Sequence, residues 1–171
     1  MDLYKRITAM LMAAAMCLAM LSGCGGAAKV EQPVENADNN AASPVVSVDD
    51  MYSQIDALGI LPDMYILDDA YISGYYGISE DSISEKIFAV ADDSLKADTI
   101  IIVKATDDSK AAEIVDSFVR INNQRMAELE SYNPEQYDRV EKAVIEKSGS
   151  CVYYIVSDDN NAVVQIIESS I

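Results

Sequence analysis

Apolar residues recur every three or four positions in five segments of the chain, and this spacing predicts five helices. The longest lies in "DDSKAAEIVDSFVRINNQRMAELESYN", whose apolar positions are Ala111, Ile114, Val115, Phe118, Ile121 and Leu129. Such a stripe is typical of an amphipathic helix that lies on a sheet. Asn133-Pro134 ends it, because the residue before a proline disfavours the helical conformation. The other helices are predicted in "VDDMYSQIDALG", "DDAYISGYYG", "PEQYDRVEK" and "DDNNAVVQIIESSI".

Four segments rich in β-branched residues predict strands at residues 85–91, 99–105, 142–148 and 151–157. The segment "TIIIVKA" (99–105) is apolar on both faces, and we expect it, with 151–157, at the centre of the sheet. Gly149 predicts a tight hairpin between the last two strands. Hairpins joined by long helices predict an α+β fold. We expect a two-layer sandwich, in which an antiparallel sheet of about four strands, arranged as two hairpins, carries helices mainly on one face.

The start of the chain resembles the signal peptide of a bacterial lipoprotein. Lys5 and Arg6 precede a nearly continuous apolar run from Ile7 to Leu21, which is short for a membrane-spanning helix. "LSGC" then places small residues directly before Cys24, as in the lipobox of bacterial lipoproteins. The resemblance implies cleavage before Cys24, with diacylglycerol attached to its thiol and an acyl chain such as palmitate on the new amine.

Composition divides the chain into three parts. Residues 1–23 are the predicted signal peptide, residues 24–44 the lipidated cysteine and a flexible tether, and residues 45–171 a single α+β domain. The tether is rich in small, amide and acidic residues and has no helix or strand period. We expect the domain at the outer face of the cell membrane, held there by the lipid on Cys24. Cys151 then has no disulfide partner, and its place in "CVYYIVS" predicts a small buried apolar side chain.

The chain is strongly acidic, with a net charge of −17 at neutral pH. This charge excludes nucleic acid as a partner, because its phosphates would be repelled. It also argues against a domain that lies flat on an anionic bilayer. Such acidity is typical of a solvated exterior, and an acidic patch that recruits cations or a basic partner is the alternative.

Few kinds of catalytic chemistry are compatible with the composition. The chain has no histidine, which excludes histidine triads, histidine metal sites and histidine pH switches. It also lacks paired-cysteine zinc motifs, a glycine-rich phosphate loop and a G-x-S-x-G motif. The acidic segments "DDNNA" (158–162) and "DDSK" (107–110) are candidates for calcium, but they lack the glycine and the distal glutamate of an EF-hand loop. We therefore assign no catalytic residue, no metal site and no cofactor.

Paired aspartates recur along the chain. The pairs are Asp49-Asp50, Asp68-Asp69, Asp92-Asp93, Asp107-Asp108 and Asp158-Asp159. Four of them directly precede a helical segment, where aspartate caps the helix and complements its dipole. Asp92-Asp93 instead predicts a turn between strands. A catalytic carboxylate pair needs one member with a raised pKa in a cleft, whereas cap hydrogen bonds stabilise the anion.

Aromatic residues concentrate in "ILPDMYILDDAYISGYYGIS", from Ile60 to Ser79. A tyrosine combines a flat apolar ring with a polar hydroxyl, so this segment could line a groove for a glycan or a peptide. The candidate binding surface consists of Tyr65, Tyr71, Tyr75 and Tyr76. The alternative is that these rings attach a short helix to the sheet, with Gly77 ending that helix.

The chain resembles a bacterial lipoprotein family, that of domain of unknown function 4358. The resemblance is carried by "LPDMYILDDAYISGYYGIS" (61–79), "KADTIIIVKA" (96–105), "PEQYDRVEKA" (134–143) and the hairpin around Gly149. It implies a Gram-positive lipoprotein on the outer face of the plasma membrane, and it assigns no activity.

Two hypotheses for function follow. The first is a membrane-anchored extracytoplasmic binding or accessory module without enzymatic activity, whose partner is a protein, a peptide or a wall polymer. The second is a carboxylate-dependent hydrolase that acts outside the membrane. The first predicts exposed tyrosine rings in one patch, and the second predicts two carboxylates in one pocket, one with a raised pKa.

Overall fold

The computed structural model describes residues 46–171, which form a five-stranded sheet with helices on both faces. The strands are β1 (Met64–Ile66), β2 (Ile83–Ala91), β3 (Thr99–Ala105), β4 (Val144–Ser148) and β5 (Cys151–Val156). The helices are α1 (Val48–Asp56), α2 (Asp69–Tyr71), α3 (Asp108–Leu129), α4 (Pro134–Glu141) and α5 (Asn160–Glu168). The predicted signal peptide, Cys24 and the tether lie outside the described residues.

All strand pairs are antiparallel, and the strand order is β1-β2-β3-β5-β4. The predicted α+β class and the antiparallel sheet are confirmed, and β3 and β5 lie at the centre as expected. Register places Phe88, Ile101 and Tyr154 side by side across three strands. Because side chains alternate between faces along a strand, these three point to the same face of the sheet.

The sheet has five strands rather than the four predicted. The additional strand is β1, which pairs with the end of β2, from Met64 opposite Ala91 to Ile66 opposite Ala89. Strand β2 pairs with β3 along one edge, and the backbone groups on its other edge are free to pair with β1. Three mostly exposed residues are too few to show an alternating pattern, and only their pairing with β2 identifies them as a strand.

Helices cover both faces of the sheet, so the domain has three layers rather than the two expected. Helices α3 and α4 and the segment after α2 cover one face, where Phe88, Phe118 and Tyr154 are buried. Helices α1 and α5 cover the other face, and they contact each other there. The apolar core residues of this second face include Met51, Ile55, Ile100, Ile102, Tyr153, Ile155, Val163 and Ile167.

Aspartates cap three of the four helices for which capping was predicted. Asp68, Asp107 and Asp159 each accept a hydrogen bond from a backbone amide three residues on, at 2.7, 2.9 and 3.0 Å. The Asp49-Asp50 pair instead lies inside the first turn of α1, whose cap is Ser47. Serine is an equally good acceptor, and Asp50 donates its backbone amide to the Ser47 hydroxyl at 3.1 Å.

The predicted turn at Asp92-Asp93 is confirmed. The Asp93 side chain accepts a hydrogen bond from the backbone amide of Leu95 at 2.9 Å, a geometry that stabilises a tight turn. This turn connects β2 to β3 and forms one wall of the cleft described below.

The helix predicted in "DDAYISGYYG" begins as α2 and continues as a π-helical turn from Ile72 to Tyr76. Gly77 ends it with φ of 70°, a left-handed conformation that glycine adopts without strain. A π turn carries one more residue per turn than an α turn, so it changes the directions of the side chains that follow. Tyr75 and Tyr76 are the last two residues of this turn, and Tyr75 is half-buried whereas Tyr76 is buried.

A buried ion pair joins the start of β3 to α4. Asp98 is 2% exposed, and the Arg139 guanidinium lies 2.5 Å from its Oδ1. Arg139 also contacts the exposed Asp158 at 3.1 Å. The second oxygen of Asp98 and Nε of Arg139 have no hydrogen-bond partner among the described residues. Spacing did not reveal this pair, since its members are 41 residues apart.

Candidate functional site

The structure separates the four predicted binding tyrosines by exposure. Tyr65 on β1 and Tyr71 on α2 are 54% and 50% exposed, Tyr75 is half-buried, and Tyr76 is buried. The rings of Tyr71 and Tyr75 lie 5.4 Å apart. Tyr65 forms no ring pair with the other three in the part of the chain that the structure describes. Because Tyr76 is buried, the four rings do not all belong to one exposed patch.

Tyr76 belongs to the core. Its ring lies edge-on to Phe88 and Phe118, at 5.1 and 6.1 Å between centroids. Its backbone carbonyl accepts hydrogen bonds from Ser117 and Arg120 of α3. For this residue the alternative interpretation is correct, because the ring attaches the π turn to the sheet and to α3.

Burial raises the pKa of Tyr76 well above its ordinary value of 10.0 and also raises the pKa of Tyr154. The neutral hydroxyls are thus favoured in the folded state, so their stability contribution is complete below about pH 10 and is lost above it. We expect the free energy of unfolding to fall as pH rises beyond about 10. Urea denaturation at stepped pH measures this. Tyr76→Phe should make the decline shallower, and an unchanged slope in that variant would contradict the assignment.

Tyr75 lines a cleft between the β2–β3 turn and the junction of α3 with α4. We call it the Tyr75 cleft, and its main walls are Tyr75, Leu95, Arg125, Leu129, Tyr132 and Gln136. Its volume is about 280 Å³, near the lower end of small-ligand sites. Leu95 and Tyr132 at its rim are 57% and 73% exposed, so both side chains are accessible to a ligand.

The guanidinium of Arg125 forms one side of the cleft. Its Nη1 donates to the hydroxyls of Thr99 and Tyr154 at 3.0 and 2.7 Å, and its Nη2 donates to the Ala97 carbonyl at 2.8 Å. It also lies 5.8 Å from the centre of the Tyr154 ring. These contacts fix its plane. Of the five N–H groups of an arginine, Nε–H and one on Nη2 have no acceptor among the described residues.

Gln136 presents a donor whose direction is fixed. The residue is 7% exposed, and its Oε1 accepts a hydrogen bond from the buried Ala97 amide at 2.7 Å. Only the oxygen can accept from an N–H group, so the opposite side of the side-chain amide is the NH₂ group. That group has no acceptor among residues 46–171, and Gln136 lines the cleft.

Charges around the cleft act on Tyr75. Its pKa is raised, first by burial and then by the Glu128 carboxylate, while Arg125 and Arg120 oppose the shift. The hydroxyl is therefore neutral at physiological pH and able to donate or accept a hydrogen bond. Glu128 itself accepts from the side-chain amide of Gln124 at 2.9 Å.

A second, more open cleft holds the carboxylates that the hydrolase hypothesis requires. Asp69, Glu80 and Asp81 line a space of about 680 Å³. A hydrogen bond from Lys86, at 2.6 Å, and the charge of Lys86 lower the pKa of Asp69. A lowered pKa suits an anion and opposes the role of a proton-donating acid. Within residues 46–171, no group of three or more acidic or cysteine side chains is arranged to hold a metal ion.

The buried thiol of Cys151 matches its prediction. Burial is the largest cause of its raised pKa, so the unreactive protonated form dominates.

No helix within residues 46–171 is both long enough and apolar enough to span a bilayer.

Arg125 and Gln136 were not singled out from the sequence. The sequence nevertheless contains a signal for each of these two residues. Arg125 follows Ile121 by four residues on the buried stripe of α3, and Gln136 precedes the buried Val140 by four on α4. A polar residue at an inward-facing helix position requires a partner, a ligand or water.

The residues from Leu58 to Ser157 match the family described as Domain of unknown function (DUF4358). No curated protein and no solved structure matches the chain. The matched segment contains the whole sheet, α3, α4 and every wall of the Tyr75 cleft, and it covers more than half of the chain. This chain belongs to the DUF4358 family.

Proposed function

We propose that the protein is a lipid-anchored extracytoplasmic module that binds a ligand in the Tyr75 cleft and has no enzymatic activity. The observation that carries the proposal is the cleft itself. It combines exposed apolar groups at the rim with two fixed polar side chains, Arg125 and Gln136, whose remaining N–H groups lack acceptors among the described residues.

This combination is typical of sites that recognise ligands. Apolar walls gain free energy when a ligand displaces water from them, and directional donors select its orientation. Arg125 and Gln136 are positioned by hydrogen bonds to Thr99, Tyr154 and Ala97, so they lose little side-chain entropy when a ligand binds.

The proposed location depends on the N-terminal sequence. "LSGC" supports lipidation of Cys24, and the residues that follow support a flexible tether to the domain. A tether of about twenty flexible residues would let the domain reach ligands well beyond the lipid headgroups. The partner in this setting is an extracytoplasmic protein, a peptide or a wall polymer.

Removal of the thiol at Cys24 is expected to release the protein from the membrane. When the chain is expressed in a Gram-positive host, the unaltered protein should enter the detergent-rich phase of a cloud-point separation. Cys24→Ala should shift at least about nine-tenths of it to the aqueous phase, because stable anchoring requires the acyl chains. The matched control is Cys151→Ala, which removes a buried thiol and should leave the partition unchanged. Retention of Cys24→Ala in the detergent phase would refute the lipid anchor.

Photocrosslinking tests the cleft as the binding site. Benzoylphenylalanine replaces Tyr132 at the rim, and the control replaces Leu58, an exposed apolar residue at the end of α1 outside the cleft. Irradiation of intact cells is expected to give a discrete adduct from position 132 and none of that mass from position 58. Mass spectrometry of the adduct identifies its partner class.

Identical adduct patterns from the two positions would show non-selective capture and would contradict binding at the cleft. Absence of any adduct from position 132 and from a second rim position, Leu95, would contradict it as well. The hydrolase alternative has no comparable support, because Lys86 stabilises Asp69 as an anion in the second cleft.

A further inference from the structure

Basic side chains without ion pairs concentrate at the Tyr75 cleft. The described residues contain nine lysines and arginines: Lys86, Lys96, Lys104, Lys110, Arg120, Arg125, Arg139, Lys142 and Lys147. Five of them form ion pairs with acidic side chains. Those without an ion pair in this part of the chain are Lys96, Arg120, Arg125 and Lys142. Lys96 and Arg125 line the cleft, and Arg120 is close enough to act on Tyr75.

This distribution is unexpected for so acidic a chain. With a net charge of −17, an excess of acidic residues is available to pair with every cation. Glu128 is the acidic residue among the cleft walls, and it accepts a hydrogen bond from Gln124. The charged residues that line the cleft are therefore two cations and one anion, an excess of positive charge that contrasts with the acidity of the whole chain.

Apart from the Glu128 carboxylate, the charged side chains of the cleft and Gln136 offer hydrogen-bond donors. The NH₂ group of Gln136 and the free N–H groups of Arg125 are donors, and the Lys96 ammonium is a donor without acceptor capacity. A ligand that satisfies them must present several acceptor lone pairs close together. A carboxylate has about four such lone pairs on two oxygens and matches the planar guanidinium.

The remaining walls of the Tyr75 cleft indicate which part of the ligand lies beside its acceptor group. Leu95, Leu129 and the rings of Tyr75 and Tyr132 surround the donors with apolar surface. A volume of about 280 Å³ admits a group the size of one or two amino-acid residues. A carboxylate with an apolar group beside it fits this combination of charge, donors and surface.

We infer that the Tyr75 cleft binds the C-terminal carboxylate of a peptide whose last side chain is apolar. Arg125, Gln136 and Lys96 receive the carboxylate, and Leu95, Leu129 and the two tyrosine rings receive the side chain. The inference rests on the proposed binding function and specifies its ligand class.

The test compares two probes that differ by one charge. N-acetyl-alanyl-leucine and its C-terminal amide are titrated into the isotope-labelled full chain in detergent micelles, and NMR shifts are followed at the backbone amides of the cleft residues. We expect the acid to bind about tenfold or more tightly than the amide, since hydrogen bonds to a charged group are the stronger ones. The shifts should be confined to residues of the cleft.

Matched variants assign the effect to named atoms. Gln136→Glu retains an acceptor for the Ala97 amide and replaces the donor facing the cleft with an anion, so affinity for the acid should fall at least about tenfold and its preference over the amide should vanish. Lys96→Gln should weaken binding of the acid about two- to fivefold. Lys142→Gln removes an equally unpaired cation outside the cleft and should change neither affinity.

Equal affinities for acid and amide would overturn the carboxylate inference and leave the proposed binding function standing. Shifts from the acid that occur outside the cleft would also overturn it, as would no binding of the acid at millimolar concentration. Preferential binding of digalacturonic acid over the peptide acid would assign the site to an acidic glycan instead. The wild-type comparison does not depend on the folding of any variant, and the crosslinks at Tyr132 report on the binding function separately.

Discussion

Replacement of Arg139 by methionine is expected to lower the free energy of unfolding by about 3–5 kcal/mol. The change removes the guanidinium 2.5 Å from Asp98 and leaves that carboxylate 2% exposed without a counter-ion. An uncompensated buried charge is costly because water no longer solvates it. Methionine retains most of the packing volume of the arginine stem, so the loss reports mainly on charge. Urea denaturation monitored by circular dichroism measures it.

The control for this prediction uses the second partner of the same arginine. Asp158 lies 3.1 Å from Arg139, but its side chain is mostly exposed. Asp158→Ala should therefore lower the free energy of unfolding by less than about 1 kcal/mol. Similar losses in the two variants would mean that burial of Asp98 does not determine the energetics of this pair.

Tyr76→Ala is expected to lower the free energy of unfolding by about 3–5 kcal/mol, as for other buried aromatic residues. The ring fills the space between Phe88 and Phe118, and its loss leaves a cavity beneath the π turn. The consequence should extend to Tyr75, because the π turn that positions it is attached to the sheet by Tyr76. Thermal unfolding gives the stability loss, and the NMR signals of the cleft report on Tyr75.

Two further variants separate the contributions of the ring and of the segment. Tyr71→Ala truncates a half-exposed ring in the same segment and should cost less than about 1 kcal/mol. Tyr76→Phe retains the ring and should cost much less than the alanine change. A loss for Tyr71→Ala as large as that for Tyr76→Ala would contradict the assignment of Tyr76 to the core.

Most helices and strands could be predicted because their apolar periods are long. The stripe of α3 runs through Ala111, Ile114, Phe118 and Ile121, and all four are buried. Strand β1 could not be predicted, since three residues are too few for a period and its side chains are largely exposed. Its conformation depends on pairing with the free edge of β2, which is information about another part of the chain.

The face on which each helix lies was harder to predict than the helix itself. Helices α1 and α5 have apolar stripes that would fit either face of the sheet. The available signal was β3, which is apolar on both faces and so requires a cover on each. The apolar residues on both faces of β3 predict its central position, and they also predict a third layer.

The Tyr75 cleft illustrates a limit of spacing arguments. Its walls come from the π turn, the β2–β3 turn and the α3–α4 junction, which the fold brings together. Tyr75 was singled out for its aromatic neighbours, whereas Tyr65 and Tyr76 are directed elsewhere by strand register and by burial. A binding role for the exposed and half-buried tyrosines remains a prediction, for which Tyr75 has the strongest structural support.

Because helices cover both faces of the sheet, a fragment of the chain limited to the matched residues would lack part of the core. The matched residues end at 157 and begin at 58, so both α1 and α5 fall outside them. A fragment trimmed to those limits would expose the sheet face formed by Ile100, Ile102 and Ile155 to water. Such a fragment should aggregate or pair with its own copies through that face. For this chain the matched segment is therefore shorter than the folded domain, which extends at least from Val48 to Glu168.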